Sequence, residues 1–228
     1  MSEPVLTESL FDFLEQLRRH NDRDWFNEHK SDFQRDVRDP AVRLIQRLEK
    51  PLAKSAPMLL VDPRPHNGSL MRIYRDTRFS KNKDPYKTNV GISLRHQAGK
   101  DIHAPGVYLH FDPDQCFIGA GCWHPEGRVL ADIRRAIDQQ PKDWLKARDH
   151  KAFREHFTLV GESLKTSPRD YPKDHAMIED LRRKDFIATA PLTRQQATGD
   201  DLPALILDRI KRARPLMRFL CDAIGVPY

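Results

Sequence analysis

The chain has 228 residues, of which 39% are hydrophobic and 32% charged, and it carries a net charge of +6 and three cysteines. That length supports one substantial core, and 8% aromatics with recurrent apolar spacing argue against a disordered chain. Cys116, Cys122 and Cys221 make no disulfide framework, no basic-then-apolar leader opens the sequence, and no apolar run approaches the roughly 20 residues of a membrane span, so a cytoplasmic protein without a membrane partner is expected.

Thr7 is placed to cap a first helix in which Leu10, Phe11, Leu14 and Leu17 recur at helical spacing, ending near His20. Asn21 or Asp22 then caps a second helix over 22–37, with Trp25, Phe26, His29 and Phe33 on one face. Pro40 fits the first turn of a third helix bearing Val42, Leu44, Ile45 and Leu48; Pro51 marks a continuation or a break, and Pro57 ends the run. Residues 62–68, DPRPHNG, form a turn-rich connection, after which the period changes to two. Strands are predicted over 69–74, 89–95, 106–111 and 115–119, the last two joined as a hairpin through Asp112-Pro113-Asp114.

Pro125 and Glu126 open a helix with Val129, Leu130, Ile133 and Ile137, and 142–156 reads as another with Trp144, Leu145 and Phe153 facing inward. An irregular Ser/Pro-rich stretch over 161–173 leads to a short helix through Ile178 and Leu181, a strand at 186–190 and one turn capped by Thr193. The last helix starts near Leu202, and Pro215 should kink or split it. These elements predict a single α+β domain over 1–228. It has a helical part at about 7–56, a sheet-forming part at about 69–122 and a helical part at about 125–223, around a central antiparallel sheet of about four to six strands.

Positive charge concentrates in one segment. Between residues 72 and 87, Arg72, Arg75, Arg78, Lys81, Lys83 and Lys87 face only Asp76 and Asp84, so this window holds four of the six net charges. It reads as a loop between two strands, punctuated by Ser80, Asn82 and Asp84-Pro85, with Phe79 and Tyr86 expected to hold it down. Arginine's planar fork suits bidentate capture of phosphate or carboxylate, and a bound anion relieves the crowding of cations.

The spacing Arg72-x-x-Arg75-Asp76-x-Arg78-Phe79-x-x-x-Lys83-x-x-Tyr86 resembles the defining motif of a mainly bacterial family of about this length, catalogued as domain of unknown function 2461. The likeness extends to residues 24–30, to Gly119-Ala-Gly-Cys-Trp123 with Pro125-Glu126, to 161–165 and to 181–186. It brings no activity, substrate or cofactor with it, so function must come from the residues.

The expected ligand-binding set is Arg72, Arg75, Asp76, Arg78, Lys83, Tyr86, Lys87 and Trp123, with Asp76 orienting an arginine. Lys83 is expected to neutralise developing charge, and Tyr86 or His110 to handle a proton, His110 because it shares a strand face with Tyr108. His103 and His124 flank the same hairpin, His29 and Lys30 form a weaker pair, and Cys122 is a minor nucleophile candidate beside His124. No metal-ligand spacing and no P-loop occurs, and no cofactor is indicated. Three functions fit: binding of, or action on, a small phosphate- or carboxylate-bearing compound; nucleic-acid binding with phosphates on the basic loop and Phe79, Tyr86 and Trp123 for stacking; and non-catalytic anion sensing. Concentration of the charge in one segment favours the small anion.

Overall fold

A computed structural model describes residues 4–98 and 104–228, so His103 lies outside the described part. The first helix, α1 (Glu8–Arg19), buries Leu10, Phe11, Phe13, Leu14 and Leu17, and sets Glu8 in its first turn and Arg18 and Arg19 in its last, as its dipole favours. Asp22 caps α2 (Arg23–Glu28), its Oδ1 accepting the Trp25 N–H at 2.9 Å.

The expected helix over 22–37 is interrupted. The backbone breaks at His29 and resumes as α3 (Lys30–Asp32), a π turn (Phe33–Arg38) and α4 (Asp39–Ser55). Pro40 accounts for the π turn: it has no N–H, and its ring crowds the carbonyl four residues earlier, which the wider turn relieves. Pro51 sits inside α4 without ending it.

Six antiparallel strands follow: β1 (Leu59–Leu60), β2 (Val90–His96), β3 (Gly106–Phe111), β4 (Cys116–Cys122), β5 (Thr158–Val160) and β6 (Phe186–Leu192), in the order β1-β2-β3-β4-β6-β5. Alternation selects the inward set: Val90, Ile92 and Leu94; Val107, Leu109 and Phe111; Cys116, Ile118 and Ala120; Phe186, Ala188 and Ala190. With α1, α4 and α10 (Leu202–Ala223), these residues form one hydrophobic cluster running from Val5 to Leu220. Each fully buried large side chain in it contributes about 1.5–3 kcal/mol. The alternate side chains of β3 and β4, Tyr108, His110 and Phe117, are half-buried on the other face.

The strand expected over 69–74 is reduced to two isolated bridges, Leu70 to Ile92 and Tyr74 to Tyr86. The ladder runs Met71 N–H to Gly91 O, Lys87 N–H to Ile73 O and Arg75 N–H to Pro85 O, and stops where Pro85 has no N–H to return. Residues 69–93 therefore make a ragged hairpin whose tip is the basic segment.

Beyond β4 come α5 (Gly127–Gln139), α6 (Pro141–Arg148), α7 (Lys151–Arg154), α8 (Ile178–Leu181) and α9 (Arg194–Ala197). The helix expected over 142–156 is two, broken at Asp149-His150, where His150 is extended. Thr193 caps α9 as expected, in a reciprocal box with Gln196. α10 continues through Pro215 as one element rather than splitting. Among the described residues no helix is long and apolar enough to cross a membrane.

Candidate functional site

The base of the basic hairpin is docked on α2. Asn21, at the end of the α1–α2 connection, behaves as a strand partner of Tyr86, donating its amide N–H to the Tyr86 carbonyl at 3.1 Å and accepting the Tyr86 N–H at 3.0 Å. The Tyr86 ring is buried and stacked on Phe26 with centroids 4.1 Å apart, and Tyr74 leans on Tyr86 at 5.3 Å. Between helix and hairpin lies a recess of about 330 Å³, lined by Arg23, Asn27, Tyr74, Arg75, Thr77, Pro85 and Tyr86.

Two guanidinium-bearing residues and no carboxylate line this recess. Among the described residues Arg23 makes no ion pair, and Arg75 makes one, with Asp84 at 4.0 Å. Burial pushes the Tyr86 hydroxyl above its ordinary pKa, with Arg23 pulling the other way, so the phenol stays a hydrogen-bond donor at neutral pH. The wall of one concavity thus combines two arginines, two tyrosines, a threonine and an asparagine, residue types that can donate hydrogen bonds.

The rest of the basic segment is arranged differently from the expected convergent clamp. Arg78 is exposed and engaged by Asp76 through Nε at 2.9 Å and Nη2 at 2.6 Å, a contact that holds the Asp76 carboxyl well below the usual range. Asp76 and Asn82 shape the tip as turn residues, accepting the Arg78 and Asp84 N–H groups at 3.2 and 2.8 Å. Lys83 donates to the Thr77 carbonyl at 3.0 Å, and Lys87 to the Arg72 carbonyl at 3.0 Å. Burial, and then the neighbouring Arg72 charge, lower the Lys87 pKa. Phe79, expected to pack down, is 97% exposed.

Of the expected ligand set the recess gathers Arg75 and Tyr86, while Arg72, Asp76, Arg78, Lys83 and Lys87 do not line it. The set missed Arg23, Asn27, Tyr74 and Thr77. A signal was available: Arg23 and Asn27 stand four apart, on one helix face with Phe26 between them.

His110 belongs to another cluster. Its Nδ1 lies 3.1 Å from the Tyr108 hydroxyl, the Asn89 amide approaches both, and its ring stacks on Phe117 with centroids 4.6 Å apart. Burial raises the Tyr108 pKa, and burial, against the pull of Asp112, lowers that of His110. None of these four residues lines the recess.

The family model described as a conserved hypothetical protein, DUF2461, matches residues 9–219. The chain belongs to this family. No curated protein and no solved structure matches it. The DUF2461 match spans the recess and also the glycine–tryptophan turn after β4, whose chemistry is separate. The β2–β3–β4 register sets Cys116 level with Phe111 and Val90 at one end of the sheet, so Trp123, following Cys122, lies at the other end, away from the hairpin.

At that far end Asp185, 1% exposed, accepts the backbone N–H groups of His124 at 2.8 Å and Glu162 at 2.9 Å, and its Oδ1 lies 3.1 Å from the His124 imidazole. Two glycines make room for this: Gly121 (φ +126), where a Cβ would strike the Phe186 carbonyl, and Gly161 (φ +105), where it would strike Asp185. His124 itself is left-handed at φ 46. Lys184 pairs with Glu162 at 3.0 Å. Residues 161–165 and 181–186 thus close on the glycine–tryptophan turn through one buried carboxylate. Among the described residues no group of three His, Cys, Asp or Glu side chains is placed to hold a metal ion.

Proposed function

We propose that this DUF2461 protein binds a small phosphate- or carboxylate-bearing ligand in the recess between α2 and the basic hairpin. The observation that carries the reading is that Arg23 and Arg75 line one concavity of about 330 Å³ with no carboxylate in its wall. Two like charges kept in a shared recess repel each other, and an anion that takes bidentate hydrogen bonds from both turns that repulsion into attraction. Tyr74, Tyr86 and Thr77 offer hydroxyls to the remaining anion oxygens. Arg72, Lys81 and Lys83 raise the local potential and draw the anion in. Of the two residues expected to handle a proton, Tyr86 and His110, Tyr86 is the one that borders the recess, and its raised pKa suits it to donate a hydrogen bond rather than to act as a base. The matching compartment is a reducing cytoplasm, since Cys116, Cys122 and Cys221 are all buried thiols outside any disulfide.

Isothermal titration with inorganic phosphate, pyrophosphate and a dicarboxylate tests this. Arg75→Ala and Arg23→Ala are each expected to weaken the preferred anion by about 10-fold or more, since a charge-assisted bond contributes roughly 1.5–3 kcal/mol. Unchanged affinity in both variants contradicts the site. A second reading, binding to a nucleic-acid strand, is favoured by the exposed Phe79 beside Arg78 and Lys81 at the hairpin tip, and salt-dependent retention of single-stranded RNA or DNA is its signature.

A further inference from the structure

We propose that the ligand of the recess is a nucleoside phosphate, its phosphate held between Arg23 and Arg75 and its base stacked on Phe79. This rests on the reading of the recess as an anion site and adds the chemical class of what the anion carries.

Phe79 is an apolar ring where the fold has no use for one. Phe79 is 97% exposed, the most exposed of the large hydrophobic side chains, and adds nothing to the core. It stands at the tip of a segment whose turns are set by Asp76 and Asn82, and Lys83 ties the tip to the Thr77 carbonyl. Thr77 lines the recess and Phe79 is two residues further, so the two backbones are separated by no more than about 7 Å of extended chain. That spacing suits a ligand with an anionic end and a flat apolar end joined by a short polar spacer. A phosphate, a sugar and a base in that order have this form.

The surroundings of the ring fit the same class. The Arg78 guanidinium carbon lies 5.9 Å from the Phe79 ring centroid, so a cation and an aromatic face stand together, the two surfaces on which unstacked bases are bound. Asp76 holds that guanidinium by two contacts, which fixes the plane it offers. Tyr74, 54% exposed, stands on the recess wall next to Arg75 in the chain and adds a second aromatic surface there. Among the described residues no buried side-chain donor or acceptor left without a partner belongs to the hairpin, so stacking without base preference is expected.

The test compares inorganic phosphate, ribose 5-phosphate and AMP by titration calorimetry on the full chain, wild type and Phe79→Ala. AMP should bind about 10-fold more tightly than ribose 5-phosphate. Phe79→Ala should erase that difference and leave ribose 5-phosphate affinity and the melting temperature unchanged, because the ring is outside the core. UMP should behave as AMP does. Equal affinity for AMP and ribose 5-phosphate overturns the inference and leaves the anion site standing. Binding of none of the three probes overturns the inference and the anion reading together. A preference for AMP that survives Phe79→Ala overturns the stacking role, as does capture of phosphatidylglycerol vesicles through Phe79 with no preference for AMP.

Discussion

Replacing Asp185 by alanine should destabilise the protein without touching the recess between α2 and the basic hairpin. The carboxylate is 1% exposed and serves as common acceptor for two backbone N–H groups, at 2.8 and 2.9 Å, and faces the His124 imidazole at 3.1 Å. Hydrogen bonds to a charged group contribute roughly 1.5–3 kcal/mol each, so losing the two backbone bonds costs about 3–6 kcal/mol before compensation. Relief of the cost of burying a charge, together with water reaching the half-exposed turn, lowers the expected net to about 3 kcal/mol. For a chain of this length that is a melting temperature lower by about 6–12 °C, readable by circular dichroism or calorimetry. Asp185→Asn keeps one acceptor oxygen and should fall about halfway. Gly161→Ala should act in the same direction, because it forces a Cβ to within 2.5 Å of the Asp185 side chain at a positive φ. A change below about 0.5 kcal/mol for Asp185→Ala, the ordinary effect of an unremarkable surface substitution, refutes the clamp.

Asn21→Ala removes both bonds that dock Tyr86; it should cost about 1–2 kcal/mol in urea unfolding and weaken phosphate binding although Asn21 touches no ligand. The native protein should show no thiol reactive to Ellman's reagent, and three after denaturation, because all three cysteines are buried and burial pushes Cys221 to about 12. Burial depresses the pKa of both His110 and His156, so the unfolded chain takes up protons first. Stability is therefore full above about pH 6.5, the unfolded histidine value, and falls as the pH drops toward the folded values. His110→Gln combined with His156→Gln should flatten chemical-denaturation midpoints over pH 6.5 to 5, and an unchanged slope would count against the burial argument.

Local patterns revealed the scaffold. The 3.6-residue spacing of Leu10, Leu14 and Leu17, the Asp22 cap, the hairpin of β3 and β4 and the Thr193 cap are set by residues close together in the chain, and the strand at 186–190, though its partners are distant, has an alternation of its own. What escaped depends on partners distant in the chain. β1 and β5, two and three residues long, have no pattern of their own and exist because β2 and β6 offer them an edge. The π turn ahead of Pro40 is a compromise between a proline and a packed helix. Arg75 was legible as a candidate from its charge cluster, whereas Arg23 lines the same recess from 52 residues earlier, through a docking that depends on Asn21 and Phe26. Phe79 and Tyr86 stand in the same motif, and composition does not tell that one is buried and the other projects. Trp123 is separated from the motif by three strands of register, which no linear spacing records.

The most direct test of the anion site is a crystal structure of the protein soaked in AMP in sulfate-free buffer. The account predicts phosphate density inside the recess, within hydrogen-bond distance of the guanidinium groups of both Arg23 and Arg75. Phosphate bound instead to Arg72 or Arg78 on the outside of the hairpin, with the recess holding water alone, would contradict it.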